Sequence, residues 1–197
     1  MGDAETHEEL AGLPVISFTT ARDFEAWLAE HHTDHRGVWL KIAKVGAPQT
    51  VSYAEALEIA LCHGWIDGQK RAHDASHWLQ RFTPRGPRSR WSQINRDKAE
   101  ALIRAGRMRP AGQAQVDAAK ADGRWAAAYA GQRIATVPDD LAAALAADPR
   151  AKAFFETLKG ADRFAILFRV HDAKKPETRA ARIAKFVEMC HHHQTVH

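Results

Sequence analysis

Residues 65–91 read WIDGQKRAHDASHWLQRFTPRGPRSRW and place three tryptophans, a phenylalanine and six Lys/Arg within 27 positions. Indole faces stack on flat partners, and guanidinium forks pair with carboxylates or phosphates. This interleaving therefore suits an anion-recognising or base-stacking surface. The candidate ligand-binding residues in it are Trp65, Lys70, Trp78, Arg81, Arg85, Arg88, Arg90 and Trp91. Prolines 84 and 87 hold the loop extended and keep neighbouring guanidiniums from collapsing onto one partner. A structural reading competes: the same arginines brace the loop against carbonyls and against the acidic N-terminal part of the chain.

Asp67 stands where a helix has stopped and a strand begins, a position from which side chains project into clefts. Paired with His63 or His77 in a Trp-lined pocket it would supply acid–base chemistry, provided these groups converge within hydrogen-bond reach. The plain alternative is an aspartate that bonds backbone amides at a strand start. Cys62 and His63 do not make a nucleophile–base pair, because adjacent residues on a helix point about 100° apart. His31, His32 and His35 with Asp34 have ligand chemistry but match no zinc spacing, so neither a metal nor a cofactor is expected. His191, His192, His193 and His197 read as a fraying C-terminal tail.

The net charge of +4 conceals an asymmetry. Residues 1–65 carry 4 Lys/Arg against 10 Asp/Glu, residues 66–110 carry 11 against 4, and residues 111–197 carry 13 against 10. The basic block either holds an anionic partner or answers the acidic N-terminal part internally. Cys62 and Cys190 form no spaced cluster, which fits a reducing compartment. The N-terminal MGDAETHEELAG is acidic and lacks an apolar run, and no stretch of 18 apolar residues exists, so neither a secretory signal nor membrane insertion is expected and the protein reads as cytoplasmic.

The elements that must position these residues follow from periodicity and caps. Thr20 or Thr19 caps a helix to about His31 with Phe24, Trp27 and Leu28 on one face. Val38, Leu40 and Ile42 alternate as a strand, and Ser52 caps a second helix that stops at Gly64. A β-hairpin follows, Ile66 to His73 and His77 to Phe82 around Asp74–Ser76, with Trp78, Gln80 and Phe82 on one face and His77, Leu79 and Arg81 on the other. The remainder is helical: Ser89 to about Ala105, Pro110 to Asp122, Asp139 to Ala147, a helix after the Asp148–Pro149 cap, and two stripes, Phe164, Leu167, Phe168, His171 and Ile183, Phe186, Val187, Cys190. Arg179, Arg182 and Lys185 form a solvated basic face on the last helix. The expected class is α+β. Residues 1–17 form a flexible acidic N-terminus, 18–110 a small unit with a short strand, two helices and the hairpin, 111–191 a helical half, and 192–197 a tail.

At GWIDGQK, LQRFTPR, PRSRWSQIN, RMRPAG and KKPETRAARI the sequence resembles the bacterial YdeI/OmpD-associated family, also called the bacteriocin-protection family, from about Phe18 to Met189. The resemblance implies a role in tolerance to bacteriocins or cationic antimicrobial peptides, and members are often described as periplasmic. This chain departs in lacking an export signal, in having His63 where members more often have an aromatic residue, and in having Gly86 where they often have a second basic one. The resemblance brings no catalytic residues. The leading expectation is a non-enzymatic stress or bacteriocin-tolerance protein that binds an anionic small molecule or nucleic acid. The alternatives are the Asp67–histidine enzyme and a scaffold that docks an acidic protein.

Overall fold

The computed structural model describes residues 8–33, 36–131 and 135–196. The chain divides into two compact units, Met1–Trp91 with Asn95–Ala128, and Ser92–Ile94 with Tyr129–His197. The division falls later than residue 110, and the helix at Pro110–Ala121 stays with the first unit.

In the first unit the elements run β1 (Glu9–Leu10), β2 (Leu13–Ile16), α1 (Ala21–His31), β3 (Val38–Ala43), α2 (Tyr53–Cys62), β4 (Trp65–Ala72), β5 (His77–Pro84), α3 (Gln93–Arg104, the unit's share beginning at Asn95) and α4 (Pro110–Ala121). Both early helices open on reciprocal capping boxes, Thr20 with Asp23 and Ser52 with Glu55, which satisfy backbone N–H groups the first turn leaves without partners. Gly64 ends α2 with φ +77°, a left-handed conformation that costs a glycine little.

The five strands are ordered β1-β2-β3-β5-β4, with β2 parallel to β3 and the remaining pairs antiparallel. Phe24, Leu28, Val38, Leu40, Leu61, Trp65 and Phe82 belong to the core on one side of this sheet, and Leu13, Val15, Trp39 and Leu79 form a smaller apolar layer. Glu9–Leu10 and Leu13–Ile16 are thus strands, although they lie within the segment expected to be flexible. Leu13 and Val15 alternate with Pro14 and Ile16, and their burial comes from pairing with β3 far along the chain. Trp39 Nε1 donates to the Leu10 carbonyl at 3.0 Å, and Lys41 pairs with Glu8 at 2.7 Å.

The second unit is helical: α5 (Asp139–Ala146), α6 (Pro149–Thr157), α7 (Gly160–His171) and α8 (Pro176–His191). Asp148 caps α6 by accepting from the amides of Arg150 and Ala151, with Pro149 at the first helical position as expected. The core is Leu141, Leu145, Phe155, Ile166, Leu167, Val170, Ile183, Phe186 and Cys190 with neighbours. The expected stripe on α8 is present. On α7 it is rotated: Ile166, Leu167 and Val170 are buried and His171 is exposed. Phe164 and Phe168 instead pack on Tyr129, with centroids at 6.5 and 4.9 Å. His191 bonds Asp148 at 2.8 Å and His193 stacks on Phe154 at 4.9 Å, so these two histidines are held. His197 lies outside the described residues.

Candidate functional site

The hairpin forms as its sequence indicates. Asp74 Oδ1 accepts from the amides of Ser76 and His77 at 2.7 and 2.6 Å, which closes the turn. Trp78, Gln80 and Phe82 share a face, but the β4 partner strand does not follow simple alternation. Asp67 opposes Phe82 and Lys70 opposes Gln80, so a bulge falls between Asp67 and Lys70. Three residues apart on a regular strand, these two side chains would face opposite sides. The extra residue puts them on the same one, the face of Trp78. Buried Gln80 secures the irregularity by directing its amide N–H groups at the carbonyls of Gly68 and Gln69, at 3.0 and 3.3 Å.

On that face Asp67 accepts a hydrogen bond from the Tyr53 hydroxyl at 2.8 Å and a longer one from the Asn95 amide at 3.5 Å. The Tyr53 ring stands 6.0 Å from Trp78, and Lys70 Nζ lies 4.2 Å over the Trp78 ring. Burial, followed by the Asp67 charge, pushes the Tyr53 hydroxyl well above its ordinary value, so it remains a donor. Tyr53 and Asn95 were not among the expected site residues. Asn95 lies in the PRSRWSQIN segment, which was the available signal; for Tyr53, a residue that merely opens α2, there was none.

The remaining candidates separate into three places. Trp65 and Trp91 are core residues, 1% and 2% exposed, and not part of a surface. Trp65 donates to the His32 carbonyl at 3.1 Å and meets Trp27 edge-on; Trp91 is held between the Arg85 guanidinium at 3.6 Å and Trp125 at 4.7 Å. Arg85 is buried too, with Nη1 donating to the Arg90 carbonyl at 3.1 Å, so it braces the loop from within. Arg81 lies on the opposite face of the hairpin, paired across the sheet with Trp39, and its Nε is buried without a partner. Arg88 and Arg90 are exposed on the loop, which a Gly86–Ser89 turn closes.

The carboxylate and histidines proposed as catalytic are engaged separately. Asp67 is bonded to Tyr53 and Asn95, and His77 faces Asp74 at 3.3 Å. His63 packs edge-on against His32 with ring centroids 5.6 Å apart. The convergence that an Asp67–histidine mechanism needs is not seen among the described residues. Of the histidines weighed as metal ligands, His31 lies against Trp27 and His32 Nδ1 bonds the Leu28 carbonyl at 3.0 Å, while Asp34 and His35 lie outside the described residues. No group of three potential ligands gathers among the described residues. Cys62 is buried, and burial raises its thiol, as befits a small core residue and not a nucleophile.

His63 carries a pH prediction. It is 5% exposed, and its Nε2 is buried without a partner. Burial first, then His32, holds the imidazole below its ordinary 6.5, with Glu25 opposing and Arg109 reinforcing. A folded value below the unfolded one means that the unfolded chain binds more protons near that pH. Its stabilising contribution is therefore complete above 6.5 and is lost as the pH falls from there through the lower folded value. The lowered carboxylates, Glu25 and Asp148 among them, act only below their ordinary 4.5 and 3.8. Urea unfolding should thus show a stability decrease between pH 7.5 and 5.5 in the wild type and a smaller one in His63→Phe.

These features define the class: an α+β protein whose hairpin carries an aromatic and carboxylate patch on one face, with cations on both faces and on the following loop. Residues 16–115 match the model of a family described as a domain of unknown function, DUF8412, and this match covers half of the chain, so the chain belongs to that family. Residues 135–193 match the family described as Bacteriocin-protection, YdeI or OmpD-Associated. The expected kinship is therefore present, over a shorter span than Phe18 to Met189. Of the five segments that suggested it, KKPETRAARI lies in this stretch and the other four in the first. No curated protein and no solved structure matches the chain. Among the described residues no helix is long and apolar enough to cross a membrane.

Proposed function

We propose that this protein binds an anionic ligand, a phosphate- or carboxylate-bearing metabolite or a nucleic acid, through the β4–β5 hairpin and its following loop. The observation that carries this reading is how the cations of the basic block are distributed. Those on α3 and in the link to α4 answer the acidic N-terminal part: Lys98 and Arg107 pair with Glu58, and Arg109 with Glu25. By contrast Lys70, Arg71, Arg81 and Arg88 have no carboxylate partner among the described residues. Internal neutralisation thus accounts for one part of the block and leaves the hairpin cations for a partner.

The reading is of a binding protein and not an enzyme, because Asp67, His63 and His77 are engaged apart. A cytoplasmic setting belongs to it as well, supported by two cysteines that are both free and buried. So does a stress or bacteriocin-tolerance role, which the description of the family matched at residues 135–193 suggests. Titration with single-stranded oligonucleotides and with small phosphorylated or carboxylated molecules at several salt concentrations tests the ligand. Four neutralised phosphates give a log–log salt slope of about −3. A flat response, with binding unchanged in Lys70→Ala plus Arg88→Ala, overturns the nucleic-acid form; absence of binding by small anions as well overturns the whole.

A further inference from the structure

The face that the bulge creates has a more specific chemistry than attraction of anions. We infer that Asp67, Tyr53, Trp78 and Lys70 select a guanine nucleotide, an inference that rests on the anion-binding reading above and names its ligand class. A carboxylate offers about four acceptor positions, two on each oxygen. Tyr53 fills one on Oδ2, and Asn95 reaches one on Oδ1. One position on each oxygen receives no donor among the described residues, the arrangement that two parallel N–H donors side by side would fill. Both existing donors are neutral, and no cation pairs with Asp67 among the described residues, so the charge is available to strengthen whatever bonds the open positions receive.

Tyr53 links this carboxylate to the aromatic part of the patch, since its hydroxyl holds Asp67 while its ring lies beside partly exposed Trp78. A flat heterocycle stacked there presents its edge towards the carboxylate. Among the common bases only guanine carries two adjacent N–H donors, N1–H and the 2-amino group, on that edge. Adenine and cytosine place an acceptor nitrogen beside their amino group, and uracil flanks a single N–H with two carbonyls. Each of these would bring lone pairs against Asp67. Lys70 supplies the anionic end. Its ammonium is exposed, is held by no carboxylate and rests on Trp78 through a weak exposed contact, so it is free to move to a phosphate. The Gln80-secured bulge is what sets Asp67 and Lys70 on one side.

The test is calorimetric titration of the full chain with GMP, AMP, ribose 5-phosphate and free arginine, repeated with Asp67→Asn and Trp78→Ala. GMP should bind at least about tenfold more tightly than AMP. Asp67→Asn should abolish that preference while both nucleotides still bind, and Trp78→Ala should weaken GMP more than ribose 5-phosphate. Equal binding of GMP, AMP and ribose 5-phosphate overturns the guanine assignment and leaves the anion reading standing. Binding of arginine in preference to GMP overturns it as well, in favour of a guanidinium site at Asp67. No binding of any phosphate overturns the guanine assignment together with the phosphate form of the anion reading. The nucleotide series on the wild type decides the matter even if a variant does not fold.

Discussion

Gly112→Ala should destabilise the first unit by about 3 kcal/mol or more, at a helical position where alanine ordinarily stabilises by roughly 0.5–1 kcal/mol. Gly112 lies in the first turns of α4 and is buried where that helix meets the end of α2. A Cβ there would overlap the Cys62 carbonyl oxygen, meet the Leu61 carbonyl at 2.6 Å and approach Met108 Sδ to 2.5 Å. The Met108 side chain can swing aside. The two carbonyls cannot, because they end α2, and the Cys62 oxygen also accepts the Arg109 amide at 3.3 Å. Relief requires α4 to move off α2, which exposes Val116 and Ala119 from the core. The reversed sign is the diagnostic, read as the shift in urea midpoint at constant slope. A midpoint equal to or above that of wild type would show that the contact between α2 and α4 is looser than described.

Much of this fold was legible because it is written locally. Thr20 and Ser52 caps, the Gly64 stop, the Asp74–Ser76 turn and the Asp148–Pro149 start each use a side chain and a backbone group a few residues apart, so sequence order nearly equals spatial order. What escaped depends on partners elsewhere in the chain. Leu13 and Val15 are buried only because β2 lies parallel to β3. Trp65 and Trp91 read as surface aromatics among charges. Their burial follows from Trp27 on α1 and from Trp125 after α4, which close over them. Asp67 was singled out as the carboxylate of interest beside His63 or His77, whereas its bonds go to Tyr53 and Asn95. Alternation gives no hint of a bulge that slips register by one residue, and nothing near Asp67 in sequence names Tyr53 or Asn95.

The distinction between core and surface tryptophan yields the second large effect. Trp91→Ala should cost about 3–5 kcal/mol, whereas Trp78→Ala should cost roughly 1 kcal/mol and act on ligand binding. Trp91 is nearly sealed, and its removal opens a cavity between Trp125 and Arg85 that the rigid loop cannot fill. The loss is compounded because the guanidinium of Arg85, 5% exposed, loses the ring it stacks on. Trp91→Phe should recover part of the difference. It keeps an aromatic face for Arg85 and removes the indole N–H, which is buried without a partner. Trp78, by contrast, is only partly buried at the margin of the core, beside Tyr53 and under the Lys70 ammonium. Thermal unfolding of the three variants beside anion titration separates the roles. If Trp78→Ala proved as destabilising as Trp91→Ala, the indole of Trp78 would be structural too, and the aromatic patch would lose its claim to a ligand.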